Sequence, residues 1–78
     1  MSPVVLRVRG YRLYFFSREE RRVHVHVQHA TGEAKVWLEQ RVALALNYGL
    51  SAARVTVALR IVQDHEQEIR AAWQRHFG

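Results

Sequence analysis

His24 and His26 stand one residue apart in the run RRVHVHVQHATGEAKVWLE, residues 21–39. On a strand, residues i and i+2 share a face and lie about 6.5–7 Å apart. Two imidazoles at that spacing can share a metal, with Glu39 as a third ligand, or can act as base and acid around a phosphodiester. The same pattern also suits two half-exposed strand positions, with His26 stacked on Trp37 and His24 paired with Glu39. No complete metal-ligand set is legible, so catalysis, nucleic-acid contact and structure stay open together, and no cofactor is implied.

A second group with chemical potential is Arg7, Arg12, Tyr14 and Phe16. Guanidinium and aromatic groups mixed on one strand face suit single-stranded RNA, whose bases stack on rings while arginine holds phosphate. An ordinary solvated face, or one covered by a partner, has the same composition. The run SREERR, residues 17–22, reads as a surface loop; Glu19 or Glu20 as a base beside Arg21 or Arg22 is the chemical alternative. His65-Glu66 is followed by Ile69 where the helical zinc-protease pattern needs histidine. Trp73 and Phe77 sit at core-like helical spacing, although such aromatics also anchor partners.

The elements that must position these groups follow from periodicity. VVLRVR (4–9) and YRLYFF (11–16) form a hairpin turning at Arg9-Gly10. With Val8 opposite Tyr11, Leu6 meets Leu13 and Val4 meets Phe15 on the core face, while Arg7 lies opposite Arg12 and Val5 opposite Tyr14. Residues 22–29 and 33–39 form a second hairpin around Thr31-Gly32. Setting Ala30 opposite Glu33 pairs Val27 with Val36 and Val25 with Leu38 inside. It also pairs His26 with Trp37, His24 with Glu39 and Gln28 with Lys35 outside.

Residues 41–49 alternate like a strand but hold alanines that also suit a helix; a short fifth strand is the favoured reading. Ser51 is a good N-cap. Val55, Leu59, Val62, Ile69, Trp73 and Phe77 then follow on one helical stripe, and Glu66 and Arg70 form an i,i+4 pair. The expectation is an α+β domain spanning 1–78: an antiparallel sheet of four to five strands built from two hairpins, followed by one long helix or two short ones broken near Asp64-His65 and packed on one face.

The chain has 78 residues, no cysteine and a net charge of +5. So short a chain buries only about 60% of its unfolded surface, which favours a partner subunit, and a homodimer is expected. The missing cysteines exclude disulfides and thiolate chemistry and suit a reducing cytoplasm. No signal peptide or membrane span is legible, so a soluble, cytoplasmic protein without membrane contact is expected. Eleven of the twelve basic residues are arginine, and residues 1–41 hold eight basic and four acidic residues. A polyanion or an acidic protein would therefore meet the N-terminal half first.

The order RGYRLYFFS, REE, HVHV, GEAKVWLE, YGLS and AAWQRHFG resembles the small prokaryotic family known as domain of unknown function 4160, nearly end to end. Members often carry prolines before the first histidine, where this chain has Arg22-Val23. The resemblance implies a gene neighbour from the family known as domain of unknown function 2442. Some members of that family are fused to helix-turn-helix units, the layout of a toxin–antitoxin pair. It places this chain as the toxin-like member and points to His24, His26, Lys35 and Trp37 as shared site positions. The leading expectation is then action on RNA or translation, as a metal-independent ribonuclease or by blockage, neutralised by a small acidic partner. Arg7 and Arg12 would hold phosphate, Trp37 or Tyr14 would stack a base, Lys35 would contact the nucleic acid, and His24 and His26, with Glu39, would move protons. The alternatives are a non-catalytic protein-interaction module and a small histidine-based metal binder.

Overall fold

The computed structural model describes residues 4–16, 21–30 and 32–77. Among these, five strands form one antiparallel sheet in chain order: β1 (Val4–Val8), β2 (Tyr11–Tyr14), β3 (His24–His29), β4 (Gly32–Trp37) and β5 (Ala43–Tyr48). Two helices follow, α1 (Ala52–Asp64) and α2 (Glu66–Phe77). The α+β expectation therefore holds, with β2 also pairing β3 so that the two hairpins merge into one meander.

The first hairpin turns where expected. Arg9 and Gly10 both take positive φ, 51° and 82°. Such a two-residue loop matches the right-handed twist of its flanking strands. Val8, Arg7 and Leu6 face Tyr11, Arg12 and Leu13, after which a bulge shifts the register and places Val4 opposite Tyr14. The expected Val4–Phe15 and Val5–Tyr14 pairs are thus corrected.

The second hairpin slides by two residues from its expected register. His29 faces Gly32, Gln28 faces Glu33, Val27 faces Ala34, His26 faces Lys35, Val25 faces Val36 and His24 faces Trp37. An even slip keeps every side chain on its expected face while changing all its neighbours. The reason lies at Gly32, which opens β4 instead of making the turn. A Cβ there would stand 2.6 Å from Leu50 Cδ2 and 2.9 Å from the backbone at Gly49 and Leu50. Ala30 takes the left-handed conformation instead, with φ 51°; Thr31 lies outside the described residues.

Residues 43–48 are a strand, which settles the ambiguity of 41–49. The chain leaves it through a corner held by Asn47, whose Nδ2 donates to the Leu50 carbonyl (2.9 Å) and whose Oδ1 accepts from the Leu50 N–H (3.0 Å). Ser51 then caps α1, its Oγ accepting from the Arg54 N–H at 3.2 Å. The helical tail divides at His65, whose N–H and Nδ1–H both donate to the Ile61 carbonyl, at 3.1 and 2.9 Å.

Both helices cover one face of the sheet. Leu13, Phe15, Val25, Val27, Val36 and Leu38 pack there against Ala58, Ile61, Val62, Ile69 and Trp73. Each fully buried aliphatic chain in such a layer contributes about 1.5–3 kcal/mol. Val55 and Leu59, expected on the stripe, are only half-buried, and Ala58 and Ile61 fill the core beside Val62. Arg70 fastens α2 to the sheet: its Nε donates to Glu66 (2.9 Å), as the i,i+4 spacing predicts, and its Nη2 donates to the Leu38 carbonyl.

Candidate nucleic-acid interface

Alternation along the central strands sends Arg12, Tyr14, His26, Gln28, Glu33, Lys35 and Trp37 to the face opposite the helices. Arg12 and Arg7 lie directly across from each other, an unfavourable like-charge pair. Arg12 is drawn toward β3 instead: its Nη2 donates to Gln28 Oε1 at 2.6 Å, and its guanidinium lies 4.7 Å over the Tyr14 ring. Tyr14 in turn stacks on His26 with centroids 5.3 Å apart, and its hydroxyl donates to Glu33 Oε1. Glu33 Oε2 stands 3.6 Å from His26 Nδ1. The Phe16 ring meets His26 edge-on at 4.4 Å.

A second cluster lies beside the first. The Trp37 ring carries two cations, Arg22 at 4.1 Å and Lys35 at 4.6 Å. Arg22 also reaches Glu39, Nε to Oε1, at 3.5 Å. Trp37 is half-buried, and each cation over such a partly open ring contributes about 0.5–1 kcal/mol, so these contacts mainly hold the charges in place above the sheet. Tyr14 is 3% exposed and His26 5%, so the Tyr14 ring expected to stack a base is enclosed, and Trp37, half-buried and flanked by Arg22 and Lys35, is the ring of these clusters left open to a base beside phosphate-binding cations.

The histidines do not stand half-exposed. His24 has no exposed surface and His26 is 5% exposed. His24 donates its Nδ1–H to the Arg22 carbonyl at 2.6 Å, and its ring centroid lies 5.7 Å from Trp37, 5.3 Å from His26 and 5.2 Å from Trp73 of α2. The β2–β3 pairing ends at Tyr14 and His26, so His24 occupies the end of the sheet, between the ring cluster of the outer face and the helix layer. The two-residue slide replaces the expected His26–Trp37 and His24–Glu39 pairs by His26–Lys35 and His24–Trp37, and the His26 ring stacks on Tyr14 of β2. Glu39 is exposed and stands with Arg22.

The carboxylate beside His26 is Glu33, which the sequence reading sets opposite Ala30 at the start of its strand and not among the site residues. Arg22 stands in that reading where the 17–22 loop meets the second hairpin, as a possible partner of Glu19 or Glu20 and not of Trp37. The signal that would have found both is the strand alternation itself, read with Gly32 as a strand residue. Arg7 is exposed on β1, across from Arg12. Glu19 and Glu20 lie outside the described residues. Trp73 and Phe77 pack on each other at 4.2 Å and on Phe15 at 5.4 and 5.7 Å, and belong to the core and its margin. Among the described residues no three histidine, aspartate or glutamate side chains converge as a metal ion would need, and no helix is long and apolar enough to cross a membrane.

Fold and face together define a small α+β protein with a meander sheet, helices on one side and a basic, aromatic surface on the other. Its residues 10–74 match the family described as domain of unknown function (DUF4160), and the chain belongs to that family. The matched segment runs from the first turn through β2 and into α2, leaving β1 outside it. No curated protein and no solved structure matches the chain.

Proposed function

We propose that this protein binds single-stranded RNA across the outer face of its sheet, and that it is the RNA- or translation-directed component of a prokaryotic two-gene module. The observation that carries the reading is the placement of three cations over two rings, Arg12 over Tyr14 and Arg22 with Lys35 over Trp37, on the face the helices leave uncovered. The enclosure of His24 favours blockage of RNA over proton transfer by a histidine pair, because a general base must reach the proton it takes. A small acidic partner would neutralise the protein by occupying the same cationic surface.

The test is binding of a fluorescently labelled single-stranded RNA of about ten nucleotides, within the range that one sheet platform covers. Trp37→Ala should weaken binding by about 5- to 150-fold, the equivalent of about 1–3 kcal/mol of base stacking. Lys35→Ala should lower the salt dependence by about one phosphate contact. Unchanged affinity in Trp37→Ala, with the circular dichroism of the wild type retained, would remove the basis of the reading.

A further inference from the structure

β5 is an edge strand with β4 as its neighbour, and its sequence, ALALNY, holds no charged residue in a chain of net charge +5. Leu44, Leu46 and Tyr48 are 41%, 48% and 64% exposed. The one side-chain amide, Asn47, is engaged with Leu50 through both its atoms. A bulge falls between Leu44 and Leu46, but Leu46, Asn47 and Tyr48 pair regularly with Lys35, Ala34 and Glu33. Natural sheets guard such edges with charge, proline or an irregular backbone. The opposite edge is guarded in that way: β1 carries an exposed Arg7, a bulge between Val4 and Leu6, and Arg9 in the adjoining turn.

We propose that two copies of this chain pair through their β5 edges, antiparallel about a two-fold axis, to give one continuous ten-stranded sheet. Charge selects the occupant. β1, β2 and β4 each carry arginine or lysine, so an acidic partner is drawn to them. Two chains of like charge approach most easily where neither presents any, and β5 is such a place. The nearest basic residue before it, Arg41, does not oppose this, since antiparallel pairing sends the two Arg41 residues to opposite ends of the shared ladder. The interface is isologous and closes at two copies, which leaves no unguarded β5 edge for a third. Leu46 and Tyr48 would then meet apolar surface from the second copy, and the outer faces of both sheets would join.

The experiment is sedimentation equilibrium of the full chain over a dilution series. The expected species is twice the 9.2 kDa chain mass. Leu46→Lys, which adds one charge per copy beside the two-fold axis, should weaken dimerisation by at least about tenfold, the scale of about 1.4 kcal/mol. Tyr48→Lys, at the more exposed position, repeats the test if Leu46→Lys fails to fold. Val4→Lys, on the opposite edge, should leave the dimer intact. A wild type at the mass of one chain throughout, open-ended association, or dissociation by Val4→Lys and not by the β5 variants would overturn the proposal. The measurement contains no RNA, so its outcome stands apart from the binding reading.

Discussion

Replacing His24 by alanine removes a ring with no exposed surface from between two tryptophans. The loss is the sum of named contacts. The hydrogen bond to the Arg22 carbonyl, 2.6 Å long, is worth about 1 kcal/mol net. Ring contacts with Trp73, Trp37 and His26 add about 0.5–1.5 kcal/mol each beyond area burial. Taking them near the low end, and allowing the site to collapse in part, gives about 3 kcal/mol. A domain of this size has about 4–12 kcal/mol in all, at about 0.05–0.15 kcal/mol per residue. At about 4–8 °C per kcal/mol the melting temperature should fall by about 12–24 °C. Urea denaturation followed by tryptophan fluorescence is the assay, since Trp37 and Trp73 both flank the site. A loss of no more than about 0.5 kcal/mol, the range of ordinary surface substitutions, would refute the structural assignment of His24.

Two further substitutions test how the sheet and helices are joined. Gly32→Ala forces a Cβ against the Gly49–Leu50 backbone and should cost about 1–3 kcal/mol, read as a lower urea midpoint at unchanged slope; a neutral effect would count against the close crossing of β4 and the β5–α1 corner. Ser51→Ala removes the acceptor for the Arg54 N–H and should cost about 1 kcal/mol in the same assay, whereas Ser51→Gly should cost only a few tenths; equal losses would point away from capping.

Face assignments were legible in the sequence because strand parity survives errors in register. Val25, Val27, Val36 and Leu38 fall inside, and Tyr14, Lys35 and Trp37 outside, whichever even slip is chosen. The register itself was not legible. Glycine is the usual sign of a hairpin turn, but here Gly32 answers a steric demand from Leu50, far along the chain, while Ala30 adopts the positive φ. Everything that depends on neighbours moved with that slide: His24, expected opposite Glu39, faces Trp37, and the carboxylate near His26 is Glu33. The burial of His24 was hidden for a similar reason, since Trp73 reaches it from the second helix. Ser51 and the Glu66–Arg70 pair were easier, because each acts within four residues of its partner.

The most direct test of the outer face is a titration of the isotope-labelled protein with a short single-stranded RNA, followed by two-dimensional NMR. The expected result is shifts at Arg12, Tyr14, Lys35 and the Trp37 indole N–H, fading as salt is raised, with the exposed side of α1 unmoved. Shifts confined to the helices, or none at any of these four residues at low salt, would contradict the claim that this face binds RNA.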